Sequence, residues 1–122
     1  MVRVSREGGR APGTAVCERC EVASSPWTRM RGLLGRRSLD RGSGLMLTPA
    51  SAIHMFFMRF PIDAVFLDGD LAVIGIRSRL GPWRAAAVRG ANSVLELAAG
   101  ETERRGVRVG QRLRLETVGG AR

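Results

Sequence analysis

The chain has 122 residues, 44% hydrophobic and 25% charged, with a formal net charge of +9. That composition is ordinary for one globular domain and excludes bulk disorder. No apolar run approaches about 18 residues, so no transmembrane helix is expected. All 20 basic residues are Arg, a bias that fits a GC-rich genome, and the surface they make still attracts anions.

Residues 1–13 (MVRVSREGGRAPG) hold no apolar core of a signal peptide, so the sequence reads as cytoplasmic. Their polar, glycine-rich character predicts a flexible tail. The domain proper is expected over 14–118, with a short C-terminal tail at 119–122. TAVCERCEVA (14–23) predicts a first strand. In SSPWTRMRGLLGR, Ser25 suits an N-cap, Pro26 the first helical position and Gly35 the stop. Trp27, Met30, Leu33 and Leu34 follow at helical spacing, which predicts an amphipathic helix over 26–34. Two segments concentrate the charge: 29–41 carries five Arg against Asp40, and 77–89 carries four Arg and no acid.

From Gly44 onward the pattern is mostly β. GLMLTP (44–49) predicts a short strand ended by Pro49. IHMFFMRF (53–60) is apolar on both strand faces, which predicts a central, doubly covered strand. Pro61 marks a bend, and PIDAVFL continues extended. Asp68-Gly69 predicts a two-residue hairpin turn into LAVIGIRS. LGPW reads as a turn, NSVLELAAG as a strand and ETERRG as a single helical turn with Glu101 and Arg105 four apart. QRLRLETV alternates, with Leu113 and Leu115 inward. The fold class is therefore mainly β (α+β): one β-barrel or β-sandwich-like domain with one or two short helices. Phe56, Phe57, Phe66, Leu67, Ile74, Leu95 and Leu97 are its expected core.

The polar residues inside apolar strands are the candidate chemistry. His54 is the only histidine, with a near-neutral ordinary pKa suited to acid–base work. Asp63 and Glu96 would complete a catalytic constellation if they converge with it. The competing reading is that each carboxylate satisfies backbone donors or an Arg. Arg59, Arg84 and Trp83 are the candidate ligand contacts, through guanidinium clamps and ring stacking. Cys17-x-x-Cys20 lacks two further ligands for structural zinc, and a regular strand would turn the two cysteines to opposite faces. No metal and no cofactor are expected.

RMRGLLGR, GLML, IHMFFMRFPIDAVFLD, PWR and VLELAAG occur in that order over residues 14–118, and together they resemble the bacterial and archaeal "domain of unknown function 192" family. The matching positions are Gly32 and Leu33; Gly44, Leu45 and Met46; Met58, Arg59, Pro61, Asp63 and Phe66; and Leu95, Glu96, Leu97 and Gly100. The resemblance implies a compact, mainly β domain and supplies no established activity. Much of the family lacks the histidine at His54 and has an acidic residue where this chain has Gln111. Many relatives look exported.

Three functions are weighed. The first is a binding or accessory module for a small molecule or a protein. The second is an enzyme acting on a small or carbohydrate-like ligand through His54, Asp63 and Glu96. The third is a non-specific nucleic-acid binder using the Arg-rich surface. The third is not favoured, because aromatics are only 5% and no recognition motif is present.

Overall fold

Apolar runs from both halves of the chain make the centre of one large sheet. The computed structural model describes residues 1–8, 14–24, 38–55 and 58–117. Its elements are β1 (Val2–Arg6), β2 (Ala15–Ala23), β3 (Ser43–Leu47), β4 (Ala52–His54), β5 (Ile62–Leu67), β6 (Val73–Leu80), β7 (Ala85–Ala87), β8 (Ser93–Ala98), α1 (Glu101–Arg104) and β9 (Leu113–Thr117). Seven strands form one sheet in the order β6-β5-β8-β3-β2-β1-β9, and β4 pairs separately with β7. Within the large sheet only β2 and β3 run parallel. The helix expected over 26–34 lies outside the described residues.

The sheet curls until its two edge strands meet at one end. Ala72 bridges Arg112. Val73 N–H donates to the Gln111 carbonyl at 2.8 Å, and Leu113 N–H to that of Leu71 at 2.9 Å. The concave interior holds Val4, Cys17, Cys20, Met46, Val65, Leu67, Leu95, Leu97 and Leu113. A second apolar layer lies on the opposite face of β3, β5 and β8, where the β4–β7 pair covers it with Ile53 and Ala86. The mainly β class expected from the sequence is therefore observed, and of the barrel and sandwich alternatives the sheet follows the barrel. The barrel is a curled half rather than a closed cylinder.

Four local expectations are corrected. Residues 2–6 are not tail but strand, because β1 fills the gap between β2 and β9 and hydrogen-bonds to both. Residues 53–60 are not one central strand: β4 stops at His54, and Met58 N–H bonds back to the Met55 carbonyl at 3.2 Å. The doubly covered strand is instead β5, buried at all six positions. The hairpin turn is longer than two residues. Leu71 takes a left-handed φ of 65° there, and the Asp68 carboxylate accepts from the Asp70 and Ala72 amides at 2.8 and 2.9 Å. Leu115 is 37% exposed, since β9 is an edge strand that outruns the barrel.

Of the expected core, Phe66, Leu67, Leu95 and Leu97 are buried and Ile74 is half-buried. Phe56 and Phe57 lie outside the described residues.

Candidate functional site

Strand pairing fixes which way each polar side chain points. Asp63 pairs with Leu97 and Ala64 pairs with Glu96, so neighbouring pairs alternate faces. Asp63 therefore opens toward the barrel interior, and Glu96 toward the outer apolar layer. The two carboxyls lie on opposite sides of the sheet. His54 sits on β4 next to buried Ile53 and points away from the sheet into solvent. The constellation of His54, Asp63 and Glu96 anticipated from the sequence is not assembled.

Asp63 is fully buried and occupied. Its Oδ1 accepts the backbone N–H of Arg79 at 2.9 Å and of Gly100 at 3.0 Å. Its Oδ2 accepts the Thr102 N–H at 2.9 Å and the Thr102 hydroxyl at 2.6 Å. The side chain thus satisfies amides at the start of α1, which would otherwise lack acceptors. It also holds the left-handed Arg79 (φ 52°) at the bend in β6. The partner anticipated as either Arg59 or a backbone N–H is the backbone; Arg59 is exposed.

Glu96 is 6% exposed, flanked by Ala64 and Leu45, and no hydrogen bond reaches its carboxyl among the described residues. Burial pushes its pKa up to about 7.

His54, Trp83 and Arg84 come together at one end of the β4–β7 pair. His54 pairs with Ala85. Met55 N–H bonds to the Arg84 carbonyl at 2.6 Å, and Trp83 N–H to the Met55 carbonyl at 2.8 Å. Trp83 is 61% exposed with a left-handed φ of 67°.

A cleft of about 480 Å³ opens beside α1, lined by Arg41, Arg79, Ala99, Gly100, Glu101, Glu103 and Arg104. Glu101 forms its charged floor. Arg104 clamps both Glu101 oxygens at 2.6 and 2.8 Å, and Arg105 adds a bond at 2.7 Å. These contacts, Arg104 first, hold the Glu101 carboxyl below the usual carboxylate range. Arg105 turns its other nitrogens to Glu18 at 2.8 Å. Arg41 stands farther off, 4.0 Å from Glu101, with its side chain exposed.

Arg79 has no acidic partner among the described residues. Its guanidinium lies over Gly100, where an added Cβ would come within 3.1 Å of the nearer nitrogen. The left-handed Gly100 (φ 92°) thus keeps the space that Arg79 fills. Sequence reasoning missed this site. Its traces were scattered: Arg41 and Arg79 fall in the two Arg-rich segments, Gly100 and Glu101 in the family motif and the short helical turn, and the long-range pairing that joins them leaves no local pattern.

A family model described as "Uncharacterized ACR", domain of unknown function 192, matches residues 9–115. The UPF0127 protein of Thermococcus sibiricus is 31% identical over 87 residues, covering 67% of this chain and 56% of that protein, so this chain spans little more than half of that relative. A protein of unknown function from Novosphingobium aromaticivorans shares the fold at a TM-score of 0.78, with 22% identity over 93% of this chain and 82% of its own. A candidate transcription regulator from Sinorhizobium meliloti matches at a TM-score of 0.78, with 27% identity over 93% of this chain and 91% of its own.

Proposed function

This chain belongs to the domain-of-unknown-function-192 family, and we propose that it serves as a binding module that holds a multiply charged small anion against Arg41, Arg79 and Arg104. One observation carries the reading: Arg79 lines the cleft beside Arg41 and Arg104, and among the described residues no acid stands within ion-pair distance of it, although Glu101 and Glu103 share the lining. A guanidinium stays charged at every physiological pH and grips phosphate or carboxylate with two parallel donors. The cleft's volume of about 480 Å³ suits a small ligand, and its polar lining calls for a polar one. Arg104 spends two nitrogens on Glu101 and retains its third for a ligand. Binding is favoured over catalysis because Asp63 uses both oxygens to hold the backbone and has no free role in proton transfer.

A second reading has its own support. The protein carries +9, and the Sinorhizobium relative is described as a candidate transcription regulator. In that reading the same arginines meet phosphates of a nucleic acid without reading sequence, and affinity falls steeply with salt.

Calorimetric titration with inorganic pyrophosphate, and fluorescence polarisation with a labelled single-stranded oligonucleotide, test both readings on the wild type and on Arg79→Gln and Arg41→Gln. We expect pyrophosphate to bind and Arg79→Gln to weaken it about tenfold, or about 1.4 kcal/mol. The melting temperature should stay unchanged. Pyrophosphate affinity indifferent to both substitutions would overturn the cleft. Oligonucleotide binding that depends on Arg79 in the absence of pyrophosphate binding would establish the second reading instead.

A further inference from the structure

The β1–β2 ladder contains an irregularity that changes the chemistry of two residues. Val4 pairs with Cys17 and Val2 with Cys20, so three steps along β2 match two steps along β1. The extra residue is a β-bulge. A regular strand would turn Cys17 and Cys20 to opposite faces; the bulge restores both to the barrel interior. Each is fully buried there, and both thiols are free. This corrects the sequence expectation of divergent side chains.

The bulge also sets the spacing. Val2 and Val4 are two strand residues apart, about 6.6 Å. A disulfide spans Cα separations of about 4.4–6.8 Å. Cys17 and Cys20, paired to those valines, stand at the upper end of that range, so closing the bond draws the two residues together at the bulge. Each thiol donates to a backbone carbonyl, Cys17 to that of Gly42 at 3.5 Å and Cys20 to that of Glu21 at 3.4 Å, and the neighbouring Cys20 thiol holds Cys17 below the ordinary thiol range against the opposing effect of burial. The Arg19 amide and the charge of Arg105 add to that lowering. Cys20 is raised. The Arg105 charge acts on Cys17, which makes that sulfur the nucleophile and Cys20 its reserve. Gly44 leaves room above Cys17, since a Cβ there would stand 2.9 Å from its Sγ.

We infer that Cys17 and Cys20 form a redox-convertible dithiol that closes to an intramolecular disulfide on reaction with a peroxide. The Cys17 thiolate attacks one peroxide oxygen. The O–O bond breaks, and hydroxide leaves as water after protonation. Cys17 becomes a sulfenic acid, oxidised by two electrons as the peroxide is reduced by two. The Cys20 sulfur then attacks that of Cys17. The S–S bond forms, the S–O bond breaks, and the hydroxyl departs with the Cys20 proton as a second water. Burial selects the oxidant: hydrogen peroxide is close to water in size, whereas a bulky disulfide such as oxidised glutathione cannot approach either sulfur.

The test treats the full chain, folded and reduced, with hydrogen peroxide. The product is then unfolded in N-ethylmaleimide and weighed intact. We expect the wild type to lose two hydrogens and take up no maleimide, and oxidised glutathione to leave both thiols open to it. Cys20→Ser should stop at a sulfenic acid trapped by dimedone on Cys17. The wild-type mass decides the question even if a variant fails to fold. Two maleimides after peroxide treatment, a sulfinic acid, a disulfide-linked dimer, or closure only in urea would each overturn the inference.

Discussion

Replacing Asp63 removes the acceptor for four donors at once. Three are backbone amides, of Arg79, Gly100 and Thr102, and the fourth is the Thr102 hydroxyl. A hydrogen bond to a charged group contributes about 1.5–3 kcal/mol, and a buried donor left unmet costs about 1–3 kcal/mol. The four share one carboxylate, so they do not add in full. Asp63→Ala should cost about 4 kcal/mol, and Asp63→Asn about 2 kcal/mol, since an amide keeps one oxygen but turns an NH₂ toward donors. Set against a total stability of about 5–15 kcal/mol, the alanine variant would be marginal. Urea unfolding followed by circular dichroism measures both, read as a lower midpoint at an unchanged slope. Hydrogen exchange should localise the loss at the Gly100 and Thr102 amides while the β1–β2 ladder stays protected. If Asp63→Ala does not fold, Thr102→Val removes only the hydroxyl and should cost about 1 kcal/mol. Stability of the Asp63→Asn protein within about 0.5 kcal/mol of wild type would refute the claim that this carboxylate anchors the turn.

Glu96 gives a pH-dependent prediction. Its folded pKa of about 7 lies above its ordinary value of 4.5, so between those values the folded state holds more protons than the unfolded. Stability therefore falls as pH rises from about 4.5 to 7, by on the order of 3 kcal/mol, and is flat above. Glu96→Gln should abolish that slope and be the more stable protein at pH 8; an unchanged slope in the variant would assign it to other groups. Gly44→Ala should destabilise by about 1–3 kcal/mol, because its Cβ would stand 2.9 Å from the Cys17 sulfur and 2.9 Å from the Glu96 carbonyl oxygen. A urea midpoint equal to wild type would show that β3 and β8 can part to accommodate a methyl group.

Local pattern revealed the strands that carry their own signal. β5 is a short apolar run buried throughout and β8 one buried at all but its last residue, and they were expected where they occur. What escaped depends on partners distant in sequence. VRVSR looks like a polar tail, since two of its five residues are Arg, and it becomes a strand only because β2 and β9 supply both its neighbours. The apolar stretch after His54 reads as a strand because apolar side chains say nothing of where the backbone turns; Trp83 and Arg84 bind Met55 and end β4 there. The bulge between Cys17 and Cys20 is defined by a count along the opposing strand, which one segment cannot display. The family motif shows the same limit. Asp63 and Gly100 both stood out as matching positions, yet their shared reason is a hydrogen bond across 37 residues. The cleft combines Arg41, Arg79 and Arg104 from three separate segments, none remarkable alone.

The position of β1 shapes how the molecule can reach its native state. This first strand lies between β2 and β9, the last described strand. Its valines belong to the same interior as Leu113. During synthesis β1 emerges long before β9, so one of its two ladders must wait for the residues between them. Pairings of such large sequence separation close slowly, because the intervening chain loses its freedom before any contact compensates. Until β9 arrives, the barrel has one open flank with Val4, Cys17 and Cys20 behind it. That flank is a ladder edge able to accept a foreign strand. Nascent protein is thus most vulnerable to mispairing just before β9 emerges.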